Sequence, residues 1–220
     1  MPTVPSSPAR VTPRHVQLGR AVFAAVAALM ITFSPDHSAE VGLAAFGGFG
    51  IATGLVLILA AWLVGEKGAR GSWILLAAPY VVIGMVASLP QLRSNTLFFV
   101  LVMVFAVVAG LIELLQGIRL RDRLGALSRD AIFIGALTII LGLALLLVPA
   151  GYALDYAIED KSGEVMAFTL TGITIGVGIF GGYAAIVAVY LGIAGFTPEQ
   201  KNVAVGDEDD AVAAAQEDRS

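Results

Sequence analysis

The chain has 220 residues, of which 58% are apolar and 14% are charged, and its formal net charge is −4. Soluble domains contain about 45–50% apolar and about 25% charged residues, so this composition indicates a protein of the lipid bilayer. The chain has no cysteine and only two histidines, which excludes disulfides and thiolate sites and argues against a histidine-built metal site. We therefore predict no metal, no cofactor and no nucleic-acid partner.

Six segments are apolar and long enough to cross a membrane, which takes about 20 residues. The predicted fold class is all-α, a polytopic membrane protein with six transmembrane helices in a domain of residues 16–196. Residues 1–15 and the acidic residues 197–220 are predicted to be disordered cytoplasmic tails. The predicted spans are residues 16–34, 41–65, 72–90, 95–118, 131–149 and 167–195.

The first span is the weakest of the six, because only residues 21–35 separate Arg20 from Asp36. It reaches a workable length only if the Arg20 side chain extends to the membrane surface. The alternative is a signal peptide, since arginines precede a short apolar core and residues 37–39 could be cleaved. We prefer the uncleaved span, because cleavage would remove the partner of the second helix.

The six spans pair into three repeated helical hairpins. The first helix of each pair ends near a proline, Pro35, Pro90 or Pro149, whose missing N–H helps to stop a helix. The second helix carries two small residues four apart, which let helix backbones approach closely in a bilayer. We predict that these steps bring the even-numbered helices together near a threefold axis, with the odd-numbered helices as alternative partners. The predicted packing residues are Gly50, Gly54, Ala106, Gly110, Gly178 and Gly182.

The connections between the helices differ in length and charge. The turns after Pro35 and Pro90 are short, which predicts tight antiparallel hairpins. The third such connection, about residues 151–166, is longer and charged. Apolar residues such as Leu154 and Ile158 lie between its charges, which predicts a short amphipathic turn on the outer surface.

The basic residues predict the orientation in the membrane. Of the 13 Lys and Arg residues, 11 lie in segments on the same side of the spans as the two termini. Only Arg93 and Lys161 lie on the other side. Cytoplasmic segments carry an excess of Lys and Arg, so both termini are predicted to be cytoplasmic. We therefore predict a multi-pass protein of a bacterial-type cytoplasmic (inner) membrane.

Three sequence segments carry a resemblance to a known family. They are Leu141-Gly142-x₅-Val148-Pro149, Ile83-Gly84-x₄-Leu89-Pro90 and the run from Gly110 to Ile118. With these segments the chain resembles the HdeD-type acid-resistance membrane proteins over about residues 17–195. The resemblance implies an integral inner-membrane protein of unknown biochemical function, linked to stress tolerance and without established catalytic residues. The acidic insert before the sixth helix and the acidic tail depart from the family pattern.

Glu113 is the one acidic residue within a predicted span, and Gln116 follows on the same helix face. A carboxylate in hydrocarbon is costly, which makes the pair a candidate polar site for a proton or a small solute. The alternative places Glu113 near the cytoplasmic interface, about 9 Å of helix rise from Arg119, where it pairs with a basic neighbour. We prefer this second interpretation.

Two functions follow from these observations. The first is a non-enzymatic membrane protein that supports acid or envelope stress tolerance by its presence in the bilayer. The second is a proton or small-solute transporter that uses Glu113 and Gln116. A homo-oligomer is compatible with either function. An enzyme is not expected, because the sequence contains no phosphate-binding loop, no Gly-x-Ser-x-Gly and no His-Glu-x-x-His.

Overall fold

The computed structural model describes residues 11–65, 70–121, 125–159, 163 and 165–197. Its six long helices are all long and apolar enough to cross a membrane, which confirms the predicted all-α polytopic fold. The predicted tails lie largely outside the described residues, although residues 13–15, assigned to the first tail, already belong to a helix. The helices are α1 (Pro13–Phe33), α2 (Ala39–Leu63), α3 (Arg70–Ala87), α4 (Asn95–Arg119), α5 (Ala126–Leu146) and α6 (Gly172–Phe196).

The helix ends follow local chemistry. Helices α1, α3 and α5 each end shortly before the proline that predicted their end, and Pro90 opens a short 3₁₀ turn. Ser38 and Ser94 cap α2 and α4, since each hydroxyl accepts a hydrogen bond from a main-chain N–H of the first turn. Pro79 lies inside α3, where it removes one main-chain hydrogen bond of the helix.

The helices pack as a closed ring in chain order. Each even-numbered helix packs most extensively against the odd-numbered helix that follows it, α2 against α3 and α4 against α5, and α6 returns to α1. The predicted hairpin partners, such as α3 and α4, pack less extensively. The helices of each predicted hairpin are therefore neighbours in the ring, but the most extensive helix contacts lie between adjacent hairpins.

Four of the six predicted packing residues lie at close contacts with odd-numbered helices. A Cβ built on Gly50 would lie 3.1 Å from the Cα of Gly84 on α3, and one built on Gly110 would lie 3.1 Å from the carbonyl oxygen of Gly135 on α5. The same helices meet at two further positions along the chain, where Gly54 faces Val81 and Ala106 faces Gly142. The alternative of odd-numbered partners is therefore the right one for these four residues.

The predicted step on α6 is wrong. Gly178 and Gly182 are exposed, and a Cβ built on either would find no atom within 4 Å. The contact with α1 instead uses Gly181, which faces Ile31, and Gly195, which faces Leu18. The small residues that pack lie on the buried face of α6, and the predicted pair lies on another face.

Phenylalanine rings join the even-numbered helices at the centre of the bundle. Phe46 of α2 packs edge-to-face on Phe105 of α4 and on Phe180 of α6, with ring centroids 5.2 and 5.3 Å apart. All three rings are fully buried. We call them the aromatic cluster. It lies in the half of the bundle nearer the starts of α2, α4 and α6, which we call the hairpin end.

A β-hairpin replaces the predicted amphipathic turn. Strands β1 (Ala153–Glu159) and β2 (Val165–Thr171) pair antiparallel between α5 and α6. The sixth helix therefore begins at Gly172, later than the predicted residue 167. The sequence Val-Met-Ala-Phe-Thr-Leu-Thr is rich in the β-branched and aromatic residues that favour strands. Residues 160–162 and 164 lie outside the described part of this connection.

Candidate functional site: a buried ion pair

An ion pair between α1 and α4 lies inside the bundle. The Nη2 atom of Arg20 is 2.7 Å from the Oε1 atom of Glu113, and both side chains are almost fully buried. Each residue lies about 9–11 Å of helix rise from the end of the bundle where α1 starts and α4 ends, at 1.5 Å per residue. We call this the opposite end, since it lies across the membrane domain from the hairpin end.

Small neighbours on each helix leave room for these long side chains. Arg20 shares the buried face of α1 with Ala24 and Ala27, and Glu113 shares that of α4 with Ala109 and Gly117. Residues three, four and seven apart lie on one helix face, so each charged side chain points into the bundle with this face. The side chains then meet across the space that the alanines and glycines leave.

The structure corrects two predictions in part. Arg20 does not extend to the membrane surface, because only 4% of it is exposed. Glu113 pairs with a basic residue as predicted, but the partner is the buried Arg20 of α1 and not a residue at the interface, and only 1% of Glu113 is exposed. The position of a charge along its own helix does not reveal its partner, because the two charges lie on different helices.

Gln116 takes part in a different contact. Its Nε2 atom donates a hydrogen bond of 2.9 Å to the main-chain oxygen of Ser72, near the start of α3. The side chain is half-buried and ties α4 to α3. The structure therefore does not bring Glu113 and Gln116 together in one hydrogen-bonded site.

Tyr80 of α3 adds a hydroxyl to the ion pair. Arg20 Nη2 donates to the Tyr80 hydroxyl oxygen at 3.5 Å, a long contact, and the Tyr80 ring packs edge-on against Phe105 with centroids 4.8 Å apart. Because Arg20 is the donor, the phenol proton of Tyr80 stays available to another acceptor. Tyr80 therefore connects the ion pair to Phe105 of the aromatic cluster.

A second buried hydroxyl pair joins α5 and α6. Thr138 Oγ1 donates to the Ile134 main-chain oxygen at 2.7 Å and lies 2.9 Å from the Tyr183 hydroxyl oxygen. The single hydroxyl proton of Thr138 serves Ile134, so Tyr183 is the donor in the contact between them. Neither residue was predicted to have a role, because a lone Thr or Tyr in an apolar span carries little signal.

This hydroxyl pair makes a testable contribution to stability. Replacing Tyr183 by Phe is expected to lower the free energy of unfolding by about 1 kcal/mol, because a buried hydrogen bond contributes about 0.5–1.5 kcal/mol. Unfolding in detergent measures the loss, with Tyr152→Phe at the exposed base of the hairpin as the control. A loss that persists unchanged in a Thr138→Val background would contradict the assigned bond.

A half-buried carboxylate, Asp130, lies between the ion pair and the opposite end. The Tyr190 hydroxyl donates to Asp130 Oδ1 at 3.1 Å, and Gln17 Nε2 donates to Oδ2 at 3.4 Å. Gln17 is one helical turn from Arg20 on the same buried face of α1. Asp130 was missed because the predicted fifth span began at residue 131, which left this carboxylate outside the membrane domain's helices.

Several buried polar atoms in this region lack a partner among the described residues. They include Gln17 Oε1, Arg20 Nε and Glu113 Oε2. Most buried polar atoms in folded proteins are hydrogen-bonded to protein or to water, so neighbouring orphans indicate a place for water or a polar ligand. We call Asp130, Gln17, Arg20, Glu113 and Tyr80 the polar line.

No protein-family model matches this chain, and neither a curated protein nor a solved structure matches it. The resemblance to the HdeD-type proteins therefore stays a prediction, and the chemistry of the site rests on its own residues.

Proposed function

We propose that this protein is a non-enzymatic membrane protein that moves protons across its bilayer, with Glu113 as the group that takes up and releases them. The observation that supports the proposal is the burial of Glu113 against Arg20 inside the bundle, where one of its carboxylate oxygens has no hydrogen-bond partner among the described residues. Ionisable residues inside a membrane are costly, and those of transporters and pumps form proton relays.

The chemistry needs only the residues of the polar line and water. A proton that arrives from the opposite end reaches Asp130 first and then passes through water hydrogen-bonded to Gln17. Its transfer to Glu113 neutralises the carboxylate and removes the charge that holds Arg20. Arg20 can then turn toward the Tyr80 hydroxyl, which it already contacts. Protonation is thereby coupled to a change in the packing of α1 against α4.

Release on the other side requires movement of the aromatic cluster. Phe46, Phe105 and Phe180 fill the centre of the bundle between the polar line and the hairpin end. A proton on this route must pass these closely packed, apolar rings. We therefore expect a gated, slow flux that depends on helix movement, and not the fast flux of an open pore.

The orientation completes the proposal. Basic side chains such as Arg14, Arg70 and Arg129 lie on helices at the opposite end, whereas Arg93 lies at the hairpin end. Cytoplasmic segments are rich in Lys and Arg, so the opposite end faces the cytoplasm of a bacterial-type cell and both termini are cytoplasmic. In that orientation the polar line opens to the cytoplasm.

A second candidate function is a purely structural one, and the aromatic cluster favours it. In this case the ion pair specifies which helices meet, and the protein acts in stress tolerance through its presence in the bilayer. A buried polar group can fix the pairing of helices at a cost in stability. The two functions differ in whether protons cross the membrane.

Flux in liposomes separates them. The purified protein is reconstituted with a pH-sensitive dye inside, and a pH gradient is imposed together with a potassium–valinomycin diffusion potential. We expect wild-type flux above that of empty liposomes and a loss of about tenfold or more with Glu113→Gln, because the relay loses its ionisable group. Glu40→Gln, which removes an exposed acid at the hairpin end, is the matched control and should retain the flux.

Wild-type liposomes that behave as empty ones under gradients of both directions would contradict proton transport and favour the structural candidate. Flux that Glu113→Gln leaves unchanged would show that protons cross by another route. Equal amounts of folded, reconstituted variant are established by size-exclusion chromatography before each comparison.

A further inference from the structure

The register of the β-hairpin places six of its seven large apolar residues on one face, and Val165, opposite Glu159, lies on the other. Residues that face each other across an antiparallel pair point to the same side of the sheet. The three apolar pairs alternate along the strands with pairs that carry Asp155 and Glu159. The apolar face, which we call the hairpin face, consists of Leu154, Tyr156, Ile158, Met166, Phe168 and Leu170.

The hairpin face is uncovered in the folded chain. Tyr156 and Phe168 are stacked at its middle, with centroids 5.6 Å apart, yet they remain 45% and 43% exposed. Among the described residues, the hairpin has its closest packing within itself and touches the start of α6. An isolated two-stranded hairpin is marginally stable in water. A covering surface would therefore stabilise it.

The attachment of the hairpin places it beside the membrane. Strand β2 ends at Thr171 and α6 begins at the next residue, so no linker separates the hairpin from a spanning helix. The Gly172 main-chain N–H donates a hydrogen bond of 2.8 Å to the main-chain carbonyl oxygen of Tyr152, which fixes the base of the hairpin at the start of α6. On the other side, α5 ends with exposed, lipid-facing leucines, Leu146 and Leu147. The apolar surface therefore passes from the spanning helices to the hairpin.

We propose that the hairpin face lies on the lipid surface at the hairpin end, with the rings of Tyr156 and Phe168 at the level of the headgroups. Aromatic residues are favoured at this depth, and a partly apolar element gains stability from burial there. The opposite face then turns Asp155, hydrogen-bonded to Thr169 at 2.6 Å, and Glu159 toward water. The hairpin acts as an anchor that holds the outer ends of α5 and α6 at a fixed depth.

The size of the face favours lipid over a second copy of the chain. A strand of seven residues is about 23 Å long, and two strands are about 10 Å wide, which gives an area of about 230 Å². A stable protein interface buries about 800 Å² on each partner. The hairpin face alone is too small for such an interface, whereas a lipid surface covers any area offered to it.

Spin labelling tests the proposal on the full-length protein, because the chain has no native cysteine. Met166→Cys and, independently, Leu154→Cys place a nitroxide on the hairpin face, and Ala167→Cys places one on the opposite face as the matched control. In liposomes of phosphatidylethanolamine and phosphatidylglycerol, relaxation by oxygen and by a water-soluble nickel chelate is measured. We expect a severalfold higher oxygen-to-nickel accessibility ratio at positions 166 and 154 than at position 167.

Equal ratios on the two faces would overturn the proposal, since the hairpin would then project into water. Dipolar broadening at positions 166 and 154 that grows with the protein-to-lipid ratio would also overturn it, in favour of a second copy. Two label positions on the hairpin face keep the test decisive if one substitution alters the strand pairing.

Discussion

Replacing Glu113 alone by Leu is expected to lower the free energy of unfolding by about 3–5 kcal/mol, because the Arg20 charge then stays buried without its partner. The 2.7 Å contact and the near-complete burial of both side chains place the pair in the class where removal of one member is costly. Unfolding of the purified protein in mild detergent, followed by circular dichroism, measures the loss. Glu40→Leu, at an exposed position in the first turn of α2, is the control and should change stability by no more than about 1 kcal/mol, the usual contribution of a charge near a helix N-terminus.

The double substitution Arg20→Met with Glu113→Leu completes this prediction. Both charges disappear together and similar volumes remain, so stability should return to within about 1 kcal/mol of wild type or exceed it. A double variant that is as unstable as Glu113→Leu would contradict the assignment of these residues as partners. The same variant separates folding from function, because it should be folded and yet transport no protons.

Replacing Gly135 by Ala is expected to lower the free energy of unfolding by about 1–3 kcal/mol, because α4 and α5 are in backbone contact there. A Cβ on Gly135 would lie 2.8 Å from the Cα of Leu114 and 2.9 Å from the carbonyl oxygen of Gly110, so the two helices would have to separate. Both atoms belong to the main chain, so neither can move aside as the flexible end of a side chain could. The same unfolding measurement in detergent reports the effect.

Gly182 supplies the matched control for this substitution. It also lies within a helix, but a Cβ there would find no atom within 4 Å. Alanine favours helices over glycine by up to about 1 kcal/mol, so Gly182→Ala should leave stability unchanged or raise it slightly. Equal losses for the two substitutions would show that backbone contact between α4 and α5 does not limit stability.

The contrast between these two glycines shows what the sequence could predict and what it could not. The six spans were predictable, since a long apolar segment is recognisable from the sequence and a nearby proline indicates where its helix ends. The faces that pack were not, because buried and lipid-facing residues are equally apolar in a membrane protein. Gly178 and Gly182 have the same spacing as Gly50 and Gly54, yet only the latter pair meets another helix.

The candidate site was predictable in part for a related reason. Glu113 was recognisable as a carboxylate within a span. Its partner Arg20 lies on a helix far away in the chain, near the start of the first predicted span, where a position at the membrane surface accounted for its charge. The hairpin was missed because Val165–Thr171 is as apolar as the helix that follows it. The single apolar face of the hairpin can be recognised only when the pairing of β2 with β1 is known.

The closed ring of helices has a consequence for biosynthesis. Since α1 packs most extensively against α6, which is synthesised after the four helices between them, α1 must wait for α6 before it meets its main partner. Arg20 likewise enters the bilayer before α4, and with it Glu113, has been made. An isolated arginine in a span costs about 2.5–3.5 kcal/mol on insertion scales, so α1 is expected to insert poorly by itself. Stable integration of the first helix is thus a late event, completed when the newly made α4 brings its carboxylate into the membrane.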